Sequence, residues 1–401
     1  MNSRKKRIFY ILVFISVFKP AIFNYWDFVD LLANGFSILF FLLFLSLFLL
    51  KFIKKREVNK MTILIMLLHI IVFLSTYFHQ GNIKHWGMAL VSSGTLAFFL
   101  ELYAEDIKNI IINWFPVVEL FLLFNIISIF TGGIENDDWL TDYFLGSKNT
   151  FEVVFASYLV VIYLYGKSEN SNIIHLMVCY SLMIIAIMMT RSSTMLIEFG
   201  VFVILLFIKE IPLIRRLVEY RYLLSIFIVS NFALILYALN TDLDIIVDYL
   251  EYETDKGSSS LGVRLEMWIA GMDIIINNPL FGIGRMSEDM WILLVNVGDY
   301  KTQLHNQIIE YLVSGGIILL IVLFSIYYLA AYNLHKYGRE GVVILLTLVC
   351  FSLNIANMME AYYNALFYFP FLLTGYLPYI TESKFSFVPA EKFASYNDGN
   401  I

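Results

Sequence analysis

The sequence predicts an all-α integral membrane protein with about 12 transmembrane helices and one large extracytoplasmic loop. Composition gives the class: of 401 residues, 60% are hydrophobic and 15% charged, against roughly half and about a quarter in soluble domains. A soluble core cannot absorb that much apolar surface. Apolar runs of about 20 residues recur along the chain, each long enough to cross a hydrocarbon core of ~30 Å, and a backbone in that core must bond to itself. Charge gives the orientation. With Met1 inside, the inner segments collect Arg4, Lys5, Lys6 and Arg7, then Lys51, Lys54, Lys55, Arg56 and Lys60, then Lys209, Arg215, Arg216 and Arg221, then Lys336 and Arg339. The outer segments carry acid instead, which is the positive-inside pattern.

In chain order the spans fall near 8–25, 30–50, 61–79, 86–103, 110–130, 150–166, 172–190, 192–208, 222–240, 307–331, 341–357 and 364–380. The organisation is then 1–240 for transmembrane helices 1–9, 241–306 for the large extracytoplasmic loop, 307–381 for helices 10–12, and 382–401 for a cytoplasmic tail. The basic, apolar start resembles a signal peptide, but Lys19-Pro20 replaces a small-residue cleavage site, so the first helix reads as uncleaved. That span is broken by its proline, and the last pair is joined by a polar turn holding Asn354, Asn357, Glu360 and Asn364. Cys179 and Cys350 both lie in apolar runs and organise no disulfide framework. The net charge of -6 argues against a nucleic-acid face.

The long loop is the exception to an otherwise short-looped chain, and loops of that length usually carry function. After an acidic opening and a Gly/Ser segment, Leu265, Trp268, Ile269, Met272, Ile275 and Ile276 recur at helical spacing, closed by Asn277-Asn278-Pro279. Such a helix lies along the membrane surface or packs on the bundle. Gly282-Ile283-Gly284 then permits a tight turn, and the chain re-enters the membrane at His305-Asn306.

Three cations sit at outer boundaries, where positive-inside logic disfavours them: Arg191, Arg264 and His305. Arg191, in the short turn Thr190-Arg191-Ser192-Ser193, either binds phosphate through its planar guanidinium or snorkels to lipid headgroups. Arg264 and Trp268 are four apart and share a helix face; Trp268 alone reads equally as an interfacial anchor. His305 has the ordinary pKa of a general base working near neutrality, or is a hydrogen-bonded group at a helix start. Asn306 and Glu310, again four apart, are placed to orient a hydroxyl or hold the imidazole tautomer. Asp242-Leu243-Asp244 has a metal-transferase spacing but is a short match in an acid-rich stretch. His79 and His85 lack a helical ligand spacing, so no metal or cofactor is expected.

Together these residues resemble the O-antigen ligase and polymerase family. The matching pieces are Thr190-Arg191-Ser192-Ser193; Gly262-Val263-Arg264-Leu265-Glu266-Met267-Trp268; Asn278-Pro279-Leu280-Phe281-Gly282-Ile283-Gly284; and Leu304-His305-Asn306-Gln307 with Glu310 and Gly315-Gly316. Gly146-Ser147-Lys148-Asn149 looks like a further family feature and places Lys148 and Asn149 among the supporting residues. Phe18-Lys19-Pro20 is similar to the start of Gram-positive capsular polymerases. The family often has a small residue after Gly284, where this chain has Arg285, which is either a third phosphate contact or a surface cation.

The resemblance implies a fold similar to the GT-C type lipid-linked-sugar transferases. It also implies a metal-independent, inverting glycosyl transfer at the outer face of a bacterial cytoplasmic membrane, with both termini cytoplasmic. The expected donor is an undecaprenyl-diphosphate-linked oligosaccharide, and the expected surroundings are membrane lipid, a flippase and a chain-length regulator. Arg191 and Arg264 would grip the diphosphate, His305 would deprotonate the acceptor hydroxyl, and Trp268, Arg285, Asn306 and Glu310 would support the site or bind sugar. A polymerase of O-antigen or capsule, with the hydroxyl of a lipid-linked repeat unit as acceptor, is the favoured activity. A ligase acting on lipid A core or another terminal acceptor shares the same chemistry. A lipid-linked oligosaccharide flippase ranks lower, because the cations gather at one rim and the chain shows no internal repeat of the transporter kind.

Overall fold

The computed structural model describes residues 3–55, 57–135, 141–148, 150–190, 192–211, 218–240, 261–287, 290–291, 294, 304–338 and 341–382. The helices are α1 (Ser3–Val17), α2 (Asp27–Lys55), α3 (Lys60–Phe78), α4 (Ile83–Tyr103), α5 (Ile107–Phe130), α6 (Phe151–Gly166), α7 (Ile173–Thr190), α8 (Ser193–Ile208) and α9 (Tyr220–Asn240). They continue as α10 (Leu261–Asn277), α11 (Gln307–Lys336), α12 (Gly341–Ala356), α13 (Ala365–Gly375) and α14 (Leu377–Glu382). Six stretches among the described residues are long and apolar enough to cross a membrane, one of them running through both α4 and α5. Four shorter apolar helices, α6, α8, α12 and α13, accompany them. The chain is therefore a multi-pass α-helical membrane protein.

The expected spans recur as helices, with two corrections. The first helix stops at Val17 and gives way to a 3-10 turn, Ala21–Tyr25, because Pro20 has no amide hydrogen to continue the ladder. The last span is split at Tyr376 into α13 and α14. A third difference lies in the loop after α5. There a small antiparallel sheet forms from β1 (Ile134–Glu135), β2 (Thr141–Tyr143) and β3 (Gly146–Ser147), in the order β1-β2-β3. All-α thus describes the bundle but not this loop.

Burial separates the helices by role. Along α6 nearly every side chain from Phe151 to Tyr165 is buried, and it packs against α5, α12 and α13 at the centre. By contrast α2, α7 and α8 leave large apolar side chains bare, among them Leu39, Ile53, Met177, Met188 and Phe207. In water such a surface would aggregate; against lipid tails it costs nothing.

The element that positions the site is α11. Its backbone breaks at Gly316, where φ is 64°, a conformation that only glycine adopts without strain. A break of this kind orphans carbonyls on one side and amides on the other. The loop 279–284 fills the gap: the amides of Ile283 and Gly284 donate to the carbonyls of Val313 (2.7 Å) and Ser314 (3.2 Å), and the amide of Ile317 donates to the carbonyl of Pro279 (2.9 Å). The fit leaves no room for a side chain, since a Cβ on Gly316 would stand 2.2 Å from the carbonyl of Leu280, and one on Gly282 2.2 Å from the carbonyl of Val313. The glycines that read as a tight turn are, in three dimensions, a backbone splice into a kinked helix.

Candidate active site

The predicted loop helix exists as α10 and packs on α11 and α9, so of the two expected placements the bundle is the one adopted. Leu265, Met267 and Trp268 are buried while Ile276 is 70% exposed. The helix therefore seats one face, which also carries Ile274, and leaves Ile276 near its end at the surface. Gly271 makes the close approach: a Cβ there would come 2.9 Å from the Leu304 side chain.

Residues 304–306 are clamped from both sides. The Trp268 indole N–H donates to the carbonyl of Leu304 at 2.7 Å, and the amide of Leu304 donates to Glu310 Oε2 at 2.9 Å. Asn306 then caps α11, its side-chain oxygen accepting from the amides of Ile308 (3.0 Å) and Ile309 (3.2 Å), while its amide group donates to Asn231 and the Met358 carbonyl. Between the clamps His305 has φ 51°. A non-glycine residue in that region carries about 1 kcal/mol or more of strain, held by the surrounding structure. Two expected roles are corrected here. Glu310 and Asn306 do not touch the imidazole; they fix the backbone on either side of it. Trp268 is fully buried, so its indole anchors the loop and has no free face for a sugar.

The partner that orients the imidazole is Glu360, in the turn between α12 and α13. His305 Nδ1 lies 2.7 Å from Glu360 Oε2, and Arg264 donates through NH2 to Glu360 Oε1 at 2.8 Å and through NH1 to the Met359 carbonyl at 2.7 Å. One carboxylate thus joins residues 96 and 55 positions away in sequence. The side chain of Glu360 is 1% exposed, those of Arg264 and His305 16% and 15%. The acid is hidden and its two partners reach the surface. His305 Nε2 makes no hydrogen bond among the described residues, and Arg264 keeps donors beyond the two in use.

A second cation stands beside this corner. Arg285 donates to Glu310 Oε1 at 2.7 Å and lies over the Tyr363 ring, 4.2 Å from its centroid. Its side chain is 12% exposed, which removes the surface-cation reading. Burial, followed by the nearby Glu310 carboxylate, pushes the Tyr363 hydroxyl well above its ordinary range, so the ring under the guanidinium is a neutral phenol.

Of the remaining candidates, Lys148 is exposed next to β3, while Arg191 and Asn149, like Asp242-Leu243-Asp244, lie outside the described residues. Glu360 was the residue sequence reasoning missed. Its signal was a lone acid between two apolar runs in a turn noted only as polar. A cavity of about 270 Å³ opens nearby, lined by Leu159, Met183, Ile187 and Phe199 together with Glu152 and Glu198. Glu152 ties it to the site by accepting a hydrogen bond from the Tyr362 hydroxyl.

Residues 178–324 match a family model described as O-antigen ligase, a stretch holding Arg191, Arg264, Arg285, His305 and Glu310 but not Glu360. Over that stretch, somewhat more than a third of its length, the chain is similar to the O-antigen ligase family. No curated protein matches the chain.

Proposed function

We propose that the chain is a surface-polysaccharide polymerase that moves a glycan from undecaprenyl diphosphate to the hydroxyl of a lipid-linked repeat unit, on the outer face of the cytoplasmic membrane, with both termini inside. The observation that carries this reading is the sharing of Glu360 by Arg264 and His305. The carboxylate holds the proton of His305 on Nδ1 and leaves Nε2 with a lone pair, which is the arrangement of a general base. It also aims the guanidinium without using all of its donors.

In the reaction the acceptor hydroxyl gives its proton to His305 Nε2 as its oxygen attacks the anomeric carbon. Attack comes from the face opposite the diphosphate, so the configuration inverts. The bond from that carbon to the phosphate oxygen breaks with its electron pair, and negative charge grows on the leaving oxygen. A fixed guanidinium there stabilises the transition state more than the ground state. Arg264 fills that role, with Arg191 as its proposed companion. The apolar cavity beside Glu152 supports entry of the isoprenoid tail between helices.

The test uses His305→Ala, Arg264→Ala, Arg191→Ala and Glu360→Gln in cells that depend on the chain for polymer. Each is expected to accumulate single lipid-linked repeats at normal protein levels. Long polymer persisting in all four would remove the site. Long undecaprenyl-linked polymer accumulating instead would move the acceptor to lipid A core or another terminal sugar and make the chain a ligase.

A further inference from the structure

A polymerase joins two substrates that both carry a diphosphate, because the acceptor repeat is itself lipid-linked. Arg264, with Arg191 as its proposed companion, accounts for one. We propose that Arg285, together with Lys84 and His85, forms a second phosphate-binding corner that holds the diphosphate of the acceptor; the inference rests on the polymerase reading above.

Arg285 is built in rather than draped on the surface. Its amide donates to Thr76 Oγ1 at 2.9 Å, its carbonyl accepts from the amide of Asn82 at 2.6 Å, and Gly81 approaches so closely that a Cβ would stand 2.3 Å from that carbonyl. Glu310 holds NH1 and the Tyr363 ring supports the guanidinium plane. What remains is the NH2 edge, which faces His85 Nε2 at 3.4 Å. His85 and its neighbour Lys84 are exposed on the first turn of α4, whose N-terminus adds the positive end of a 21-residue helix dipole. A rigid, partly covered guanidinium beside an imidazole at a helix N-terminus, with an exposed lysine next to that imidazole in sequence, is a site for a phosphate.

The two corners are joined through one residue. Glu310 binds Arg285 with Oε1 and the amide of Leu304 with Oε2, and Leu304 directly precedes His305. Occupancy of the Arg285 corner is thereby mechanically connected to the backbone that carries the base. A transferase whose acceptor lacks a diphosphate has no use for such a corner, so Arg285 is a specificity determinant for acceptor type.

The experiment uses purified full-length protein with a lipid-linked donor and two acceptors, the same oligosaccharide on a polyprenyl diphosphate and on an uncharged alkyl glycoside. Arg285→Gln and the double variant Lys84→Ala/His85→Ala are compared with the parent. The double variant leaves the buried Arg285–Glu310 pair intact and guards against misfolding. Expected is a KM for the diphosphate acceptor raised about tenfold or more in each, the effect of losing a charge-assisted contact, with KM for the alkyl glycoside unchanged in the double variant. Inorganic diphosphate should compete with the charged acceptor in the parent and lose potency in the variants. Equal effects of the double variant on both acceptors, or no effect on either, would overturn the second corner while leaving the polymerase reading standing. A parent that transfers only to the uncharged acceptor would overturn the polymerase reading itself.

Discussion

Two buried carboxylates in this protein invite comparison, Glu360 in the α12–α13 turn and Glu101 near the end of α4. Both are almost fully covered and both tie together segments far apart in sequence. Glu101 accepts from Lys51 Nζ at 2.7 Å, the amide of Asn59 at 3.1 Å and the Tyr376 hydroxyl at 2.9 Å, with Thr62 completing the cluster at 2.9 Å from that hydroxyl. Its partners come from a helix side chain, a backbone cap and a phenol, and they close a bolt between α2, α3, α4 and the α13–α14 junction. Glu360 holds the imidazole of His305, a residue at φ 51°, and the Arg264 guanidinium, and among the described residues neither uses all its hydrogen-bonding groups. Burial and charge are the same in the two places. The difference lies in the partners: Glu360 joins a guanidinium to an imidazole, whereas Glu101 joins a lysine to a backbone amide and a phenol.

The comparison is tested hardest by removing the base. His305→Ala and Arg264→Ala should each lower kcat by about 10² to 10⁴ while the purified protein keeps its thermal transition, measured by tryptophan fluorescence in detergent. Glu360→Gln should follow with a loss of about 10² in kcat, since it removes the charge that aims Arg264 and leaves one acceptor oxygen where Arg264 and His305 each had their own. Glu101→Gln should do the reverse, lowering stability by about 1–3 kcal/mol through the half-satisfied cluster it leaves, with kcat per folded molecule near that of the parent. If Glu101→Gln lost as much kcat as Glu360→Gln, the distinction between bolt and site would fail.

Two smaller effects sharpen the same division. Gly316→Ala forces a side chain into the splice with Leu280 and into a positive φ, about 1–3 kcal/mol from the backbone alone before the clash; folded yield in membranes should drop sharply. Trp268→Phe keeps the buried ring but deletes the N–H that holds the Leu304 carbonyl, a hydrogen bond worth about 0.5–1.5 kcal/mol. Steady-state kinetics should show a several-fold fall in kcat with KM little changed, because the loss reaches the reaction only through the placement of His305.

Much of the bundle was legible in the sequence. Hydrophobic runs and charge asymmetry are local signals, so α2 to α9, α11 and α12 fall where the pattern places them. The heptad-like spacing from Leu265 onward likewise marks α10. Arg264 and His305 were legible as candidates, but not the geometry that joins them. Nothing local in Asn357-Met358-Met359-Glu360 says that its acid will meet Arg264 and His305, and four-residue spacing suggested a pairing of Glu310 with the imidazole that the fold replaces with Arg285. Trp268 shows the same limit, since its spacing fits an interfacial anchor and a buried clamp equally.

By itself, then, the sequence determined that this chain is a multi-pass membrane protein and where most of its helices fall, because the solvent imposes those features residue by residue. Only the tertiary structure decided which acid serves which cation, how loop 279–284 completes the broken helix, and why His305 is held in a strained conformation. Those outcomes depend on contacts between segments tens of residues apart, whose energies exist only once the helices have packed.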